Sequence, residues 1–264
     1  MFIVVCAMGA LMVSPAHAGD RQNSLTLGGV ECDLIPITNA VEAAPPVAAA
    51  VPCPGVRPGA TVLSPTGQCT FNFMWRDQSG NRYMGTAGHC IIDSGERTWA
   101  FGSGPVARNS AGQRVGEFVY AILSDPKDFA LIRLDAGAAA SPQMCHFGGP
   151  TGQNDDFTTN RVVINHFGQG LGFGPTVPAR TAVANNMTDP DHVHANGAAI
   201  FGDSGSGAIS ADGRALGVLV TIGAHIGSNI YDPGFIGLTR LKPPVLRAQQ
   251  LLSVTLTLQT APLL

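Results

Sequence analysis

Gly202-Asp203-Ser204-Gly205-Ser206-Gly207 places a serine hydroxyl in a glycine-rich turn, ahead of an apolar run at Ala215–Ile222. A serine alone is a poor nucleophile; it attacks a carbonyl only when a base removes its proton as it does so. Two upstream stretches supply the missing parts, Thr86-Ala87-Gly88-His89-Cys90 and Asp128-Phe129-Ala130-Leu131-Ile132. His89, Asp128 and Ser204 stand in one of the known chain orders for a Ser-His-acid triad. Acyl transfer also needs backbone N–H groups aimed at the developing oxyanion, and Gly202 lets the chain turn there without a Cβ clash. Each residue has a plainer role open to it: a structural histidine, a surface carboxylate beside Asp125 and Lys127, a serine in an ordinary turn. The three contexts together favour chemistry, with Asp125 and Asp135 as substitutes for Asp128.

The segments T-A-G-H-C, D-F-A-L-I and G-D-S-G resemble the three signature segments of the chymotrypsin-like (trypsin-fold) serine proteases, in a match that extends over roughly residues 60–240. That resemblance implies an all-β fold: two antiparallel six-stranded β-barrels, the active site in the cleft between them, and a short C-terminal helix. It implies a serine endopeptidase with His89, Asp128 and Ser204 as catalytic residues and the N–H groups of Gly202 and Ser204 as oxyanion hole. Ala198, six residues before the serine, would lie at the base of the primary pocket, and Val220, Thr221 and Ile222 along one wall. A disulfide between Cys69 and Cys90 belongs to the same pattern. Protein or peptide substrates are implied as partners, and no cofactor.

Three departures from the family carry expectations of their own. Ser206 stands where a second glycine is usual, so the backbone after the nucleophile is open to change. No Ile-Val-Gly-Gly-like segment lies near residues 54–64, and Arg57 precedes Pro58, so activation by N-terminal insertion is not expected. Asp203 then needs an internal basic partner, Arg161 or Arg180. Ala198 offers no carboxylate for Lys or Arg substrates, and Ile222 narrows the wall; a small or medium apolar residue before the scissile bond is expected.

The elements that must position these groups are short strands. Gly (33) and Pro (19) make up about a fifth of the chain, which favours strands and turns over long helices. Strand patterns fall at Cys69–Trp75, Arg82–Ala87, Arg97–Phe101, Gln113–Leu123 and Phe129–Leu134, with a hairpin turn at residues 77–81. Pro142–Thr151 reads as a crossing between lobes. Arg161–Phe167, Val177–Val183, Ala208–Ile209, Ala215–Ile222 and Phe235–Thr239 supply a second set. Two such groups suit a pair of antiparallel barrels better than a parallel sheet. Val245–Leu252 is the helix candidate, with Leu246, Leu251 and Leu252 as its apolar face. The expected division is a signal segment 1–18, an Ala/Pro-rich extension or short pro-region 19–59, a first lobe 60–145 and a second 146–264.

Export follows from the first 18 residues: Phe2–Val13 is apolar and Ala16-His17-Ala18 offers a small-x-small cleavage pattern, though no lysine or arginine precedes the run. The run falls short of the roughly 20 residues that span a bilayer, so no membrane anchor is expected after its removal, and a secreted or periplasmic monomer is. Once Cys6 leaves with the signal, five cysteines remain. Besides Cys69–Cys90, both Cys53–Cys145 and Cys32–Cys53 stay open.

Other classes fare worse. Net charge is −3 with no basic cluster, which argues against nucleic acid. Asp189–His194 places two histidines at alternate positions but lacks a full ligand set, so it reads as a polar surface loop and no metal is expected. Gly168-Gln169-Gly170-Leu171-Gly172 lacks the helix and acidic residue of a dinucleotide loop and reads as a flexible loop near the cleft. A lipase of the α/β-hydrolase kind would need G-x-S-x-G and the order Ser, acid, His. A catalytically silent, protease-like binding module is the remaining alternative.

Overall fold

Runs of β-branched and aromatic residues become strands when one face of each is buried against a partner sheet. A computed structural model describes residues 2–6, 24–27, 30–36, 53, 55–155, 162–170, 178–185, 190–224 and 231–264. The chain divides into two units, Met1–Ala44 and Pro45–Leu264. In the first, β1 (Phe2–Cys6), β2 (Ser24–Leu27) and β3 (Val30–Pro36) form an antiparallel sheet in the order β1-β3-β2. Of the expected signal segment only Phe2–Cys6 is described, as a strand paired with β3.

The second unit holds both lobes. The first lobe contains β4 (Thr61–Ser64), β5 (Gly67–Thr70), β6 (Met74–Asp77), β7 (Arg82–Thr86), β8 (Gly95–Thr98), β9 (Val106–Arg108), β10 (Arg114–Ser124) and β11 (Lys127–Leu134). The run expected as one strand at Cys69–Trp75 is two strands with a bend between them. At the bend Phe71 donates its N–H to Ala60 O at 2.8 Å while Asn72 donates to Gly85 O at 2.8 Å, so the chain leaves one partner strand for another. The β6–β7 hairpin turns on Asp77, whose Oδ1 accepts the N–H groups of Ser79 and Asn81, each at 2.9 Å. Phe71, Phe73, Trp75, Phe118 and Phe129 are buried inside this curl, each contributing about 1.5–3 kcal/mol through loss of apolar surface from water.

The second lobe contains β12 (Gly152–Gln153), β13 (Val163–Phe167), β14 (Ala179–Ala184), β15 (His192–Asn196), β16 (Gly207–Ser210), β17 (Arg214–Ala224) and β18 (Tyr231–Arg240). Its pairings run β17-β16-β13-β14-β15-β18 and return to β17, a closed six-stranded barrel with β12 attached outside. The expected pair of barrels is thus realised as one closed barrel and one curled sheet. Residues 192–194, expected in a polar loop, lie in β15: Val193 and Ala195 point into the barrel core and the polar residues between them point away.

After β18 the chain returns to the first lobe. The helix α1 (Lys242–Leu252) begins with Pro243 and Pro244 in its first turn, where a missing N–H costs nothing. Its buried residues are Pro244, Val245 and Ala248, whereas Leu246 and Leu251 are 49% and 40% exposed. The apolar face expected from the leucines is displaced, because the i, i+3 pair Val245 and Ala248 is what fits the narrow contact with the sheet. Only Leu252 of the three packs on the core. Arg247 fastens the helix to Glu96 through a two-pronged contact, with Nη2 to Oε2 at 2.8 Å. β19 (Leu256–Leu258) then adds to the edge at β6. Two disulfides cross-link this unit, Cys69–Cys90 and Cys53–Cys145. The latter resolves the open choice for Cys53; the Cys32 side chain is outside the described residues. No helix among the described residues is long and apolar enough to cross a membrane.

Candidate active site

β7 ends at Thr86, and the chain makes a single 3-10 turn, Gly88–Cys90, that carries His89. The Cys69–Cys90 bridge ties the turn to β5. Asp128 is the second residue of β11, the strand paired with β7, so the two side chains come from neighbouring strand ends. Asp128 holds His89 twice: Oδ1 accepts the His89 N–H at 3.0 Å and Oδ2 accepts from Nδ1 at 2.7 Å. A proton on Nδ1 leaves Nε2 with a lone pair, the form a general base needs. Asp125, one of the substitutes, is largely exposed and lies 3.7 Å from His192; Asp135, the other, pairs with Arg114.

Ser204 lies in a turn pressed onto these strands. Thr70 donates its N–H to Ser204 O and its hydroxyl to Gly202 O, both at 2.8 Å. Gly205 adopts φ +89°, and a Cβ there would sit 2.3 Å from Thr86 Oγ1 and 2.4 Å from Thr70 O. Only glycine permits that approach, which seats the Ser204 turn against the strand leading to His89. Among the described residues no hydrogen bond joins the Ser204 hydroxyl to His89; such bonds commonly tighten only with substrate bound.

The N–H groups of the turn divide into two sets. Asp203 donates to Ile200 O at 3.0 Å, Gly205 to Leu219 O at 2.8 Å and Ser206 to Asp203 O at 2.9 Å. Those of Gly202 and Ser204 have no acceptor among the described residues. Two neighbouring N–H donors without an acceptor among the described residues, beside a serine hydroxyl, form the arrangement an oxyanion hole would require. Ser206, in place of the usual glycine, is fully buried and donates its hydroxyl to Asp203 O at 2.7 Å, tightening the turn instead of altering it.

Asp203 is the buried anchor of the turn. It pairs with Arg180 of β14, and it accepts the N–H groups of Gly170 and Ile200, each at 2.8 Å. Arg180 is therefore the internal cation; Arg161 is outside the described residues. Burial pushes the Asp203 carboxyl up and the Arg180 guanidinium down from their ordinary values, and their mutual attraction opposes both shifts. The expected flexible loop at 168–172 has a definite task in its described part. A Cβ on Gly168 would lie 2.2 Å from Asp203 Oδ1, and Gln169 links to the first lobe by accepting from Gln68 Nε2 at 2.8 Å. Opposite Arg180 on β13, His166 is fully buried; burial first, and then the Arg180 charge, lower its pKa to about 3.

Of the proposed pocket residues, Ala198 is exposed just after β15, Val220 and Ile222 are half-buried on β17, and Thr221 is exposed at a bulge. The sequence offers Arg180 as one of two partners for Asp203 and Gly168 and Gly170 only as part of a flexible loop, and it gives His166 no role. Glycines spaced by one residue after a strand were the available signal for a close approach. Among the described residues, the grouping of metal-ligand side chains is Cys69, His89 and Cys90, and the disulfide uses both of its sulfur atoms.

No protein-family model matches the sequence, and no curated protein matches it. Solved structures do resemble it. A glutamic-acid-specific serine protease, described as using a histidine triad in substrate binding, is 17% identical with a TM-score of 0.53, over 76% of this chain and 100% of that one. Protease A of Thermobifida fusca is 14% identical (TM-score 0.51, 77% and 99% of the two chains). The Cellulomonas bogoriensis chymotrypsin is 18% identical (TM-score 0.51, 77% and 99%). At such identities the likeness is one of fold, and this chain has the two-lobed fold of the chymotrypsin-like serine proteases.

Proposed function

We propose that the chain is a secreted serine endopeptidase that hydrolyses peptide bonds through an acyl-enzyme. One observation carries the reading: among the described residues the N–H groups of Gly202 and Ser204 lack an acceptor while their neighbours are satisfied, beside a histidine doubly held by a carboxylate. In the proposed cycle His89 Nε2 takes the Ser204 proton as Oγ attacks the substrate carbonyl carbon. The carbonyl oxygen becomes an anion that accepts from the two free N–H groups. His89 then gives the proton to the departing amine, and water repeats the sequence to release the acid and restore Ser204. Asp128 keeps the proton on Nδ1 and stabilises the imidazolium. Asp203, clamped by Arg180, holds the hole in shape without a new N-terminus, so no proteolytic activation of that kind is required. Two disulfides and the leader-like apolar run support export, since such bridges persist in oxidising compartments.

A fluorophosphonate probe tests the reading. Labelling mapped to Ser204, and abolished in His89→Ala, is the expected result. Folded protein that takes no label would instead be a protease-like binding module.

A further inference from the structure

We propose that Thr70 is a positioning residue for the oxyanion hole: its hydroxyl, reaching across from the first lobe, holds the Gly202–Asp203 peptide in the orientation that aims the N–H groups of Gly202 and Ser204 at the substrate carbonyl. The proposal rests on the endopeptidase reading and extends it beyond the triad, since it makes the hole a joint product of both lobes.

The need for such a residue arises at Gly202. Its φ of +99° suits glycine, and the same permissiveness leaves the adjoining peptide planes free to turn. A peptide plane is fixed in direction when both its carbonyl and its N–H are bonded. The Asp203–Ser204 plane is held by its carbonyl, which accepts the Ser206 N–H at 2.9 Å and the Ser206 hydroxyl at 2.7 Å, all within the second lobe. The Gly202–Asp203 plane differs. Its N–H donates to Ile200 O at 3.0 Å, but its carbonyl accepts from Thr70 Oγ1 at 2.8 Å, and no other hydrogen bond reaches Gly202 O among the described residues.

The Thr70 hydroxyl is itself fixed in polarity. Gln169 donates its N–H to Thr70 Oγ1 at 3.2 Å, so the oxygen accepts on one side and its proton goes to Gly202 O on the other. Branching at Cβ restricts χ1 and keeps the hydroxyl in place. The backbone beneath it is tied down as well. Thr70 gives its N–H to Ser204 O at 2.8 Å, its carbonyl accepts the Thr86 hydroxyl at 2.9 Å, and the preceding Cys69 is bridged to Cys90.

Thr70 and Gly202 are both buried, so removing the hydroxyl strands the Gly202 carbonyl away from solvent. That carbonyl finds a new donor only if its plane turns. Turning displaces Gly202 and, through Asp203, Ser204, which misdirects the two N–H groups while the substrate-binding strands stay where they are. The loss therefore falls on the transition state and not on substrate binding.

The test compares the purified parent chain with Thr70→Val and Thr70→Ser. It measures kcat and KM on a fluorogenic peptide that the parent cleaves, and inhibition by a peptide boronic acid, which forms a tetrahedral adduct on Ser204. Thr70→Val keeps the shape and loses the hydroxyl; kcat should fall about 10²-fold with KM within about threefold of the parent. Boronic acid affinity should fall by a similar factor. Thr70→Ser keeps the hydroxyl, and its kcat should stay within about threefold of the parent. A residue that served packing alone would give the reverse order, sparing valine and impairing serine. A valine variant with parental kcat, a loss confined to KM, or a serine variant as slow as the valine one overturns the proposal. Should thermal melts show that Thr70→Val does not fold, Thr70→Ser decides: kcat within about threefold of the parent keeps the proposal, and a lower value overturns it. Fluorophosphonate labelling of Ser204 in the parent keeps the endopeptidase reading whatever the variants do. A parent that neither labels nor cleaves overturns both.

Discussion

Asp203 has three claims on its two carboxylate oxygens, the Arg180 guanidinium and the N–H groups of Gly170 and Ile200, while its backbone holds the turn. Breaking a buried ion pair by removing one partner is costly, about 3–5 kcal/mol, because the remaining charge is stranded. Arg180→Met should therefore lower the unfolding midpoint and also disturb the N–H groups of Gly202 and Ser204. The expected drop in kcat is about 10²–10³-fold, comparable to the loss of one oxyanion donor, read by steady-state kinetics against a thermal melt. A variant with full kcat would sever Arg180 from the oxyanion hole. His166 makes a second residue-level prediction. Its pKa is lowered from 6.5 to about 3, so between those values the unfolded chain binds a proton that the folded one refuses. Stability contributed by neutral His166 is thus present above the unfolded value and lost as pH falls from about 6.5 toward 3, by up to about 1.4 kcal/mol per pH unit. Asp203, whose pKa is raised, acts in the opposite sense, so the comparison must be with a His166→Leu variant. Urea midpoints measured from pH 7 to 4 should fall less steeply in that variant than in the parent protein.

At the scale of elements, the two disulfides separate stability from function. Cys69–Cys90 closes a 21-residue separation and Cys53–Cys145 one of 92. Loop entropy makes the longer bridge the more stabilising, at about 4–5 kcal/mol against about 3. The shorter one, however, anchors the turn that carries His89. Replacing Cys53 and Cys145 with alanine should cost more in thermal midpoint, and replacing Cys69 and Cys90 more in kcat; the reverse order in both measurements would undo this division. The long strands were legible because their periodicity is strong: β10, β11 and β17 lie within one or two residues of the expected ranges. Thr61–Ser64, Val106–Arg108 and Leu256–Leu258 are too short for any period to register. β15 is a different failure. His192-Val193-His194-Ala195-Asn196 alternates as a half-buried strand should, but histidine and aspartate neighbours suggested a loop. The helix face was misread for a related reason, since leucine count outweighed the spacing of Val245 and Ala248. In the candidate site, local context singles out His89, Asp128 and Ser204 as the proposed triad, whereas Arg180 and the glycines around Asp203 make a cross-strand contact that no local pattern encodes.

For the second unit as a whole, what holds the lobes together matters as much as either core. The Ser204 turn is bonded to Thr70 across the groove, and Gln68 reaches the loop beside Asp203, so the lobes meet through hydrogen bonds at the candidate site itself. On the far side the last residues do comparable work. Ala261 donates to Pro150 O at 2.8 Å, Pro262 O accepts from Gly149 at 2.8 Å, and Leu264 donates to Phe147 O at 3.0 Å. These bonds fix the crossing between lobes, while β19 just before them belongs to the first-lobe sheet and Leu263 packs toward Gly213 of the second. The segment therefore straps both lobes to their connection. At about 1 kcal/mol for each backbone hydrogen bond, removing residues 261–264 should cost about 3 kcal/mol and lower the urea midpoint with little change in the denaturant slope. If the shortened chain unfolds at the same urea concentration as the full one, the strap contributes nothing, and the contacts around Thr70 and Gln68 must align the lobes without it.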